Sequence, residues 1–232
     1  EAAGGQAADA LDLACAIELI HAASLALDDL PAMDDEQVRR NAPALHRQHG
    51  EAAAILASVA LIARAFEIAG IHDRARGTDA VGRIARTIGA SGMCGGQIVD
   101  LSARRAGGLA ATPAALEDLY AAKTGCLMAL ACEIGAIAAG ADPARCQALG
   151  AFGLGLGIAY QIADDVADRA VDAALGRANY ARIAGDGPAR RRASALLDDA
   201  RRQLAAAGVD AAGLAAYARG LIDAEPLPAV RR

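Results

Sequence analysis

Aromatic residues are scarce: the chain has no tryptophan, 2 phenylalanines and 4 tyrosines among 232 residues, 3% in all. A pocket that holds a migrating cation on ring faces has little material to be built from. Positive charge is not in surplus either. The formal net charge of -5 excludes general nucleic-acid binding, which rests on an excess of Lys and Arg over phosphates. Any anion bound must therefore be met by locally concentrated positive charge. The cysteines, Cys15, Cys94, Cys126, Cys132 and Cys146, contain no C-x-x-C pair. Their odd number and scattered spacing fit reduced thiols rather than a disulfide frame. The opening "EAAGGQAADALDLACAIELI" lacks the basic start and apolar core of a signal peptide. On these grounds the expected compartment is the cytoplasm. Sustained period-two alternation, the mark of half-buried strands, is absent as well.

What is present is helical pattern. Of the residues, 55% are hydrophobic, enough for one sizeable core in a single domain spanning 1–232. Residues 7–27, 51–69, 112–140, 142–170 and 188–207 are rich in Ala, Leu and Ile with charges at helical spacing. Thr112-Pro113 and Asp142-Pro143 each place a capping residue before a first-turn proline, and Gly70 and Gly140 are positioned to stop helices. The single Asp186-Gly187 turn is not flanked by strand patterns. The fold class expected is all-α. Cys146 to Ala163 carries no charge over 18 residues, a length that approaches a membrane span. Gln147, Gln161, four glycines and the "DDVAD" that follows make a buried helix the expected outcome, and no transmembrane segment is expected.

Two acidic clusters each follow an apolar helix. "LDDLPAMDDE" sets Asp28 and Asp29 before Pro31, and Asp34, Asp35 and Glu36 after it. Proline ends the helix, and the bend lets Asp34 swing back beside Asp28. In "YQIADDVAD", Asp164 and Asp168 are four apart and share one helix face. Like charges at that spacing repel, so a divalent cation is the reason to keep them together. Mg²⁺ takes one or two carboxylates and completes its octahedron with water and phosphate oxygens. A solvated acidic turn or helix end is the alternative for either cluster alone. Two clusters that face each other across a helical bundle, where ligand sites are commonly built, favour cation binding.

Basic residues stand where an oxyanion needs them. Arg39 and Arg40 follow the first cluster, with His46 and Arg47 further on. Carboxylates for metals beside guanidiniums for oxygens suit a metal-bound diphosphate. Lys123, before Thr124, is a lone lysine in an apolar helical segment, costly to bury without an anion; an exposed helical lysine is the alternative. His46 and His49 lack the partner ligands of a zinc site. "GLGLG" at 153–157 lacks the strand and spacing of a dinucleotide loop and fits close helix packing. The glycines of "GMCGGQ" at 92–97 allow close approach to a ligand or to another helix.

With "HAASLALDDLPAMDD", "RR", "HGEAAAILASVAL", "GMCGGQIVDL", "KTG" and "YQIADDVAD" in this order, the chain resembles the head-to-tail, all-trans isoprenyl diphosphate synthases. Within them it is most similar to bacterial geranylgeranyl diphosphate synthases of carotenoid pathways. The resemblance covers nearly the whole chain. It implies mostly antiparallel helices around a central apolar cavity, a homodimer, and condensation of isopentenyl diphosphate with an allylic diphosphate. By resemblance, Asp28, Asp29 and Asp34 bind Mg²⁺ from one wall and Asp164, Asp165 and Asp168 from the other, with about three ions held. Arg39, Lys123 and Gln161 contact the allylic diphosphate beside Thr124, and Arg40 and His46 belong to the isopentenyl diphosphate site. Farnesyl-forming relatives usually carry a ring five residues before the first aspartate. Here Ala23, beside Ala22, occupies that place and implies an open cavity floor and a C20 product; a C15 product is the alternative.

Two parts of the family pattern are unmatched. A G-K-x-x-R segment is expected before residue 7, and "EAAGGQ" has nothing like it. After the second cluster, "RAVDAALGRANYARIAG" is several residues short, with Arg177 at the position of a phosphate-binding lysine. Either segments that order around substrate are not represented here, or the chain is a non-catalytic partner subunit. Retention of all six acidic positions with Arg39, Arg40 and Lys123 favours the first. A terpene cyclase is disfavoured by the arginine pair, the pattern of the second cluster and the low aromatic content.

Overall fold

The computed structural model describes residues 1–72, 74–105 and 112–223; the rest of the expected single-domain span lies outside the described residues. Helices account for nearly all of it, so the fold is all-α as expected. Helix α1 (Ala7–Asp28) buries Leu13, Ala16, Ile17, Ile20 and Ala23, a stripe at three- and four-residue spacing. A two-residue-strand hairpin, β1 (Val38–Arg39) with β2 (Ala42–Pro43), follows. Short α2 (Leu45–His49) leads into α3 (Glu51–Ile71), which packs along α1. Then come α4 (Arg74–Ile88), α5 (Met93–Arg105) and α6 (Pro113–Tyr120). A π-helical segment, Ala121–Gly125, joins α6 to α7 (Cys126–Ala138). The remaining helices are α8 (Pro143–Ala167), α9 (Arg169–Leu175), α10 (Tyr180–Ala184), α11 (Asp186–Ala206) and α12 (Ala212–Asp223).

The capping signals act as the sequence implies. The Thr112 side chain accepts from Ala115 N at 3.2 Å, and Asp142 from Arg145 N at 2.9 Å. Gly140, with φ of +68°, ends α7 in the left-handed conformation that glycine adopts at least cost. Gly70 does not stop α3, which runs on to Ile71. Asp186 and Gly187 begin α11 rather than forming a turn.

Helix α8 is the centre, packed on α7 along one side and on α11 along the other. The "GLGLG" run makes the first contact possible. A Cβ on Gly153 would fall 2.4 Å from Met128 O, and one on Gly157 2.5 Å from Gly125 Cα. Close helix packing is thus the role of these glycines. By length and composition, four helical stretches, Ala7–Asp28, Glu51–Ile71, Pro113–Ala138 and Pro143–Ala167, are apolar enough to cross a membrane. In the fold α8, which contains the charge-free stretch, buries Leu149, Phe152, Leu156, Ala159 and Ile162 between its neighbours.

Candidate active site

Pro31 ends α1 as its missing N–H and ring require. Asp28 is the last helical residue, Asp29 the cap, and the chain turns until Asp34 N donates to Asp28 O at 2.9 Å. The bend expected from the sequence is therefore made. Arg40 and Asn41 have φ of 50° and 65°, the two left-handed positions of a type I′ hairpin turn. That hairpin returns Arg39 to the cluster, where its Nε donates to Asp29 Oδ1 at 3.0 Å and Nη2 pairs with the same carboxylate. Asp29 is buried, and this hydrogen bond raises the Arg39 pKa further. Burial pushes the Asp28 carboxyl up to about 6; Lys123 and Arg39 pull against that, and Asp34 and Asp29 reinforce it. A buried carboxylate amid like charges is a group that a cation would stabilise.

Opposite the bend, Asp100 on α5 accepts from Lys123 Nζ and from Arg104 Nη2, both at 2.8 Å, while Arg104 Nη1 donates to Asp34 Oδ1 at 2.8 Å. Burial alone would raise the Asp100 pKa, but Lys123 and Arg104 outweigh it and hold the carboxyl below its ordinary value. Lys123 sits in the π segment, a local widening often found at functional sites. Gly96 lets α5 approach that segment, since a Cβ there would lie 2.8 Å from Lys123 N. The next residue, Thr124, faces the other way: its hydroxyl and the Gln161 side chain are 3.2 Å apart. The π segment thus joins the first cluster to α8, one turn before the second.

In the second cluster, Asp164 is half-buried, Asp165 buried, and Asp168 caps α8, its N–H donating to Asp164 O at 2.8 Å. Asp165 is turned into the protein. Its Oδ2 accepts a very short hydrogen bond from Tyr120 O–H and another from Tyr180 N at 2.5 Å. Burial pushes its carboxyl up to about 6 against those two donors. Asn179 Nδ2 donates to Asp165 O at 2.7 Å and to Asp172 Oδ2 at 2.8 Å, tying the turn after α9 to the end of α8.

The other expected residues fall as follows. Arg40 is exposed at the hairpin turn. His46 is buried, yet neither ring nitrogen has a partner among the described residues, an expensive arrangement unless something polar arrives. Arg177 reaches across to Glu36 of the first cluster at 3.5 Å. Beneath Asp28 lies a cavity of about 110 Å³ lined by Ile20, Ser24, Leu27, Met33, Ile62, Ile88, Met93, Gln97 and Lys123, among others. Gln97 Oε1 is buried there with no partner among the described residues. Ala22 lies on the exposed side of α1, and Ala23, though fully buried, does not line the cavity. At about 100° per residue the lining positions of α1 are Ile20, Ser24 and Leu27. A larger cavity of about 650 Å³, between the N-terminal residues, α7 and α12, contains none of the expected site residues.

Sequence reasoning missed Asp100, Arg104, Tyr120 and Asn179. For Asp100 a signal existed: it stands in "GMCGGQIVDL", one of the segments that carry the resemblance, in which only the glycines were given a role.

The profile of the family described as Polyprenyl synthetase matches residues 2–179. The chain belongs to the polyprenyl synthetase family. Farnesyl diphosphate synthase of Escherichia coli K12 is 38% identical over 229 residues, covering 90% of this chain and 76% of that protein. Geranylgeranyl diphosphate synthase of Pseudescherichia vulneris is 41% identical over 161 residues, 68% of this chain and 52% of that protein. Thus the chain spans from about half to three quarters of these polyprenyl synthetases. Among solved structures, an apo FPP/GFPP synthase from Zymomonas mobilis matches with a TM-score of 0.83 at 34% identity, over 95% of this chain and 79% of that one. Geranyltransferase from Helicobacter pylori, complexed with magnesium and isoprenyl diphosphate, matches at 0.76 and 26%, over 91% and 72%. These relatives are named as farnesyl and geranylgeranyl diphosphate synthases.

The donor chemistry fits Mg²⁺. Among the described residues, no three His, Cys, Asp or Glu side chains are grouped so as to hold an ion by themselves. The carboxylate oxygens that are present suit Mg²⁺, which takes one or two carboxylates and completes its shell with water and phosphate oxygens. Asp28 and Asp34 of the first cluster, and Asp164 and Asp168 of the second, are the carboxylates that would be offered to such an ion.

Proposed function

We propose that the chain carries the catalytic machinery of a Mg²⁺-dependent trans-prenyltransferase that extends an allylic diphosphate by isopentenyl diphosphate, with geranylgeranyl diphosphate (C20) as product. The observation that supports this best is the π segment, which sets Lys123 beside Asp28 at the wall of one cavity, paired with Asp100, and Thr124 against Gln161, one turn before the second cluster. When bound, about three Mg²⁺ ions supply charge neutralisation for the departing diphosphate. Arg39, Lys123 and Gln161, with Thr124, hold the allylic diphosphate; Arg40, His46 and Arg177 serve the diphosphate of isopentenyl diphosphate and the closing of the site. The unpartnered ring nitrogens of His46 suit that role.

The C1–O bond of the allylic substrate breaks, its electron pair leaving with the diphosphate, which these cationic donors stabilise. The double bond of isopentenyl diphosphate then supplies the electrons for the new bond to C1. Transfer of a proton to the released diphosphate leaves a new double bond and a chain five carbons longer. The apolar walls formed by Ile20, Leu27, Ile62 and Ile88 keep water from the cation. Among the described residues no aromatic side chain lines the cavity, which supports a floor that lets the chain pass C15. An apolar row on α3, Ile55, Leu56 and Val59, is exposed in the single chain and supports a homodimer. We place the enzyme in the cytoplasm.

Incubation with Mg²⁺, isopentenyl diphosphate and, separately, C5, C10 and C15 allylic diphosphates, followed by mass spectrometry, tests this reading. A C20 end point is expected. A C15 end point overturns the length assignment, and no extension of any starter by folded protein favours a partner subunit.

A further inference from the structure

Arg104 has no role in the mechanism above, yet it sits inside the site. Its guanidinium is planar and presents parallel donors, and it spends two of them on two different carboxylates, Asp34 and Asp100, each at 2.8 Å. Asp34 is an expected metal ligand. Asp100 also holds Lys123 at 2.8 Å. Asp100 thus pairs with two cations while Arg104 alone bridges to Asp34, and the Arg104 side chain remains 31% exposed. Asp34 has one further requirement: it cannot give its full charge to Mg²⁺ while Arg104 Nη1 holds Oδ1. If Arg104 leaves, Asp100 is still paired with Lys123, so only Arg104 needs a new anion.

We propose that Arg104 is a further diphosphate-binding residue that couples metal entry to diphosphate arrival. Without ligand it tethers Asp34 to Asp100 and weakens metal binding. The incoming diphosphate offers the guanidinium a bidentate partner and draws it off Asp34, which is then free for Mg²⁺. Because coupling between two ligands is reciprocal, metal bound at Asp34 also leaves Arg104 available for diphosphate. The coupling adds to the direct attraction between the ion and the anion. This inference rests on the prenyltransferase reading of the site.

The test measures Mn²⁺ binding by electron paramagnetic resonance and inorganic diphosphate binding by calorimetry, each alone and with the other present, for wild type, Arg104→Ala and Arg104→Lys. In Arg104→Ala, Mn²⁺ alone is expected to bind several-fold more tightly. Diphosphate with metal is expected to bind about tenfold more weakly, the loss of one charge-assisted hydrogen-bonding group. Arg104→Lys recovers part of the diphosphate affinity but not the two-carboxylate tether, so Mn²⁺ alone stays tight. The opposite signs cannot come from general destabilisation, which circular dichroism melting monitors. Equal Mn²⁺ affinity and equal coupling in wild type and Arg104→Ala overturn the proposal while leaving the site's function intact. Failure of wild type to bind diphosphate even with metal overturns the functional reading together with it.

Discussion

Replacing Asp165 by asparagine changes how stability depends on pH. Asp165 is 5% exposed, and burial pushes its carboxyl up to about 6 from the usual 3.8. At 1.36 kcal/mol per unit, that difference of roughly two units corresponds to about 3 kcal/mol. The sign follows from the raised value. The folded protein binds the proton more tightly than the unfolded chain, so the contribution is fully present below about pH 3.8 and is lost as pH rises through about 6. Asparagine keeps an oxygen that can accept from Tyr120 and Tyr180 N but does not titrate. Urea unfolding of both proteins in chelator, at intervals from pH 4 to 7.5, measures the difference directly, and other titrating groups cancel in the subtraction. The stability of wild type relative to Asp165→Asn is expected to fall by up to about 3 kcal/mol across that range. A difference that stays constant to within about 0.5 kcal/mol would refute the reasoning that burial, rather than the two donors, governs this group.

Three further perturbations probe other parts of the site. Arg39→Ala leaves Asp29, whose side chain is 3% exposed, without its guanidinium; because Arg39 is partly exposed, the expected loss is at the lower end, about 1–3 kcal/mol, read by chemical denaturation. Gly96→Ala drives a methyl against Lys123 N at 2.8 Å; it should cost about 1–3 kcal/mol and lower kcat/KM by displacing Lys123, whereas unchanged kinetics would show that the approach of α5 does not position that residue. Ser24→Phe places a ring in the cavity beneath Asp28 and should shorten the product by at least one five-carbon unit in mass spectrometry, while Ala22→Phe, on the exposed side of α1, should not.

The long apolar helices were legible because their burial stripes and caps are local: Thr112 and Asp142 act as caps with no help from the rest of the fold. Helices α4 and α5 were not, since "RARGTDAVGRIARTI" is polar and "MCGGQIVDLSARR" begins with glycines; packing against α3, α7 and the π segment overrides their weak propensity. Around the first cluster, Pro31 announced the bend that carries Asp34 back to Asp28. The hairpin that returns Arg39 was hidden, because Arg40 and Asn41 adopt left-handed angles without a glycine. Asp165 could not be separated from Asp164 by spacing. What distinguishes it is Tyr120, 45 residues away in the chain. Arg104 was likewise invisible as a partner of Asp34, since that link spans 70 residues.

The central claim, that two acidic clusters and the cations between them ionise an allylic diphosphate, is tested most directly by the initial rate of labelled isopentenyl diphosphate incorporation. Wild type with Mg²⁺, wild type in chelator, Asp28→Ala and Asp164→Ala would be compared, with folding confirmed for each. Mg²⁺-dependent extension that falls by about a hundredfold or more in both variants is the expected result. Extension that persists in chelator, or that survives both substitutions, would contradict the claim.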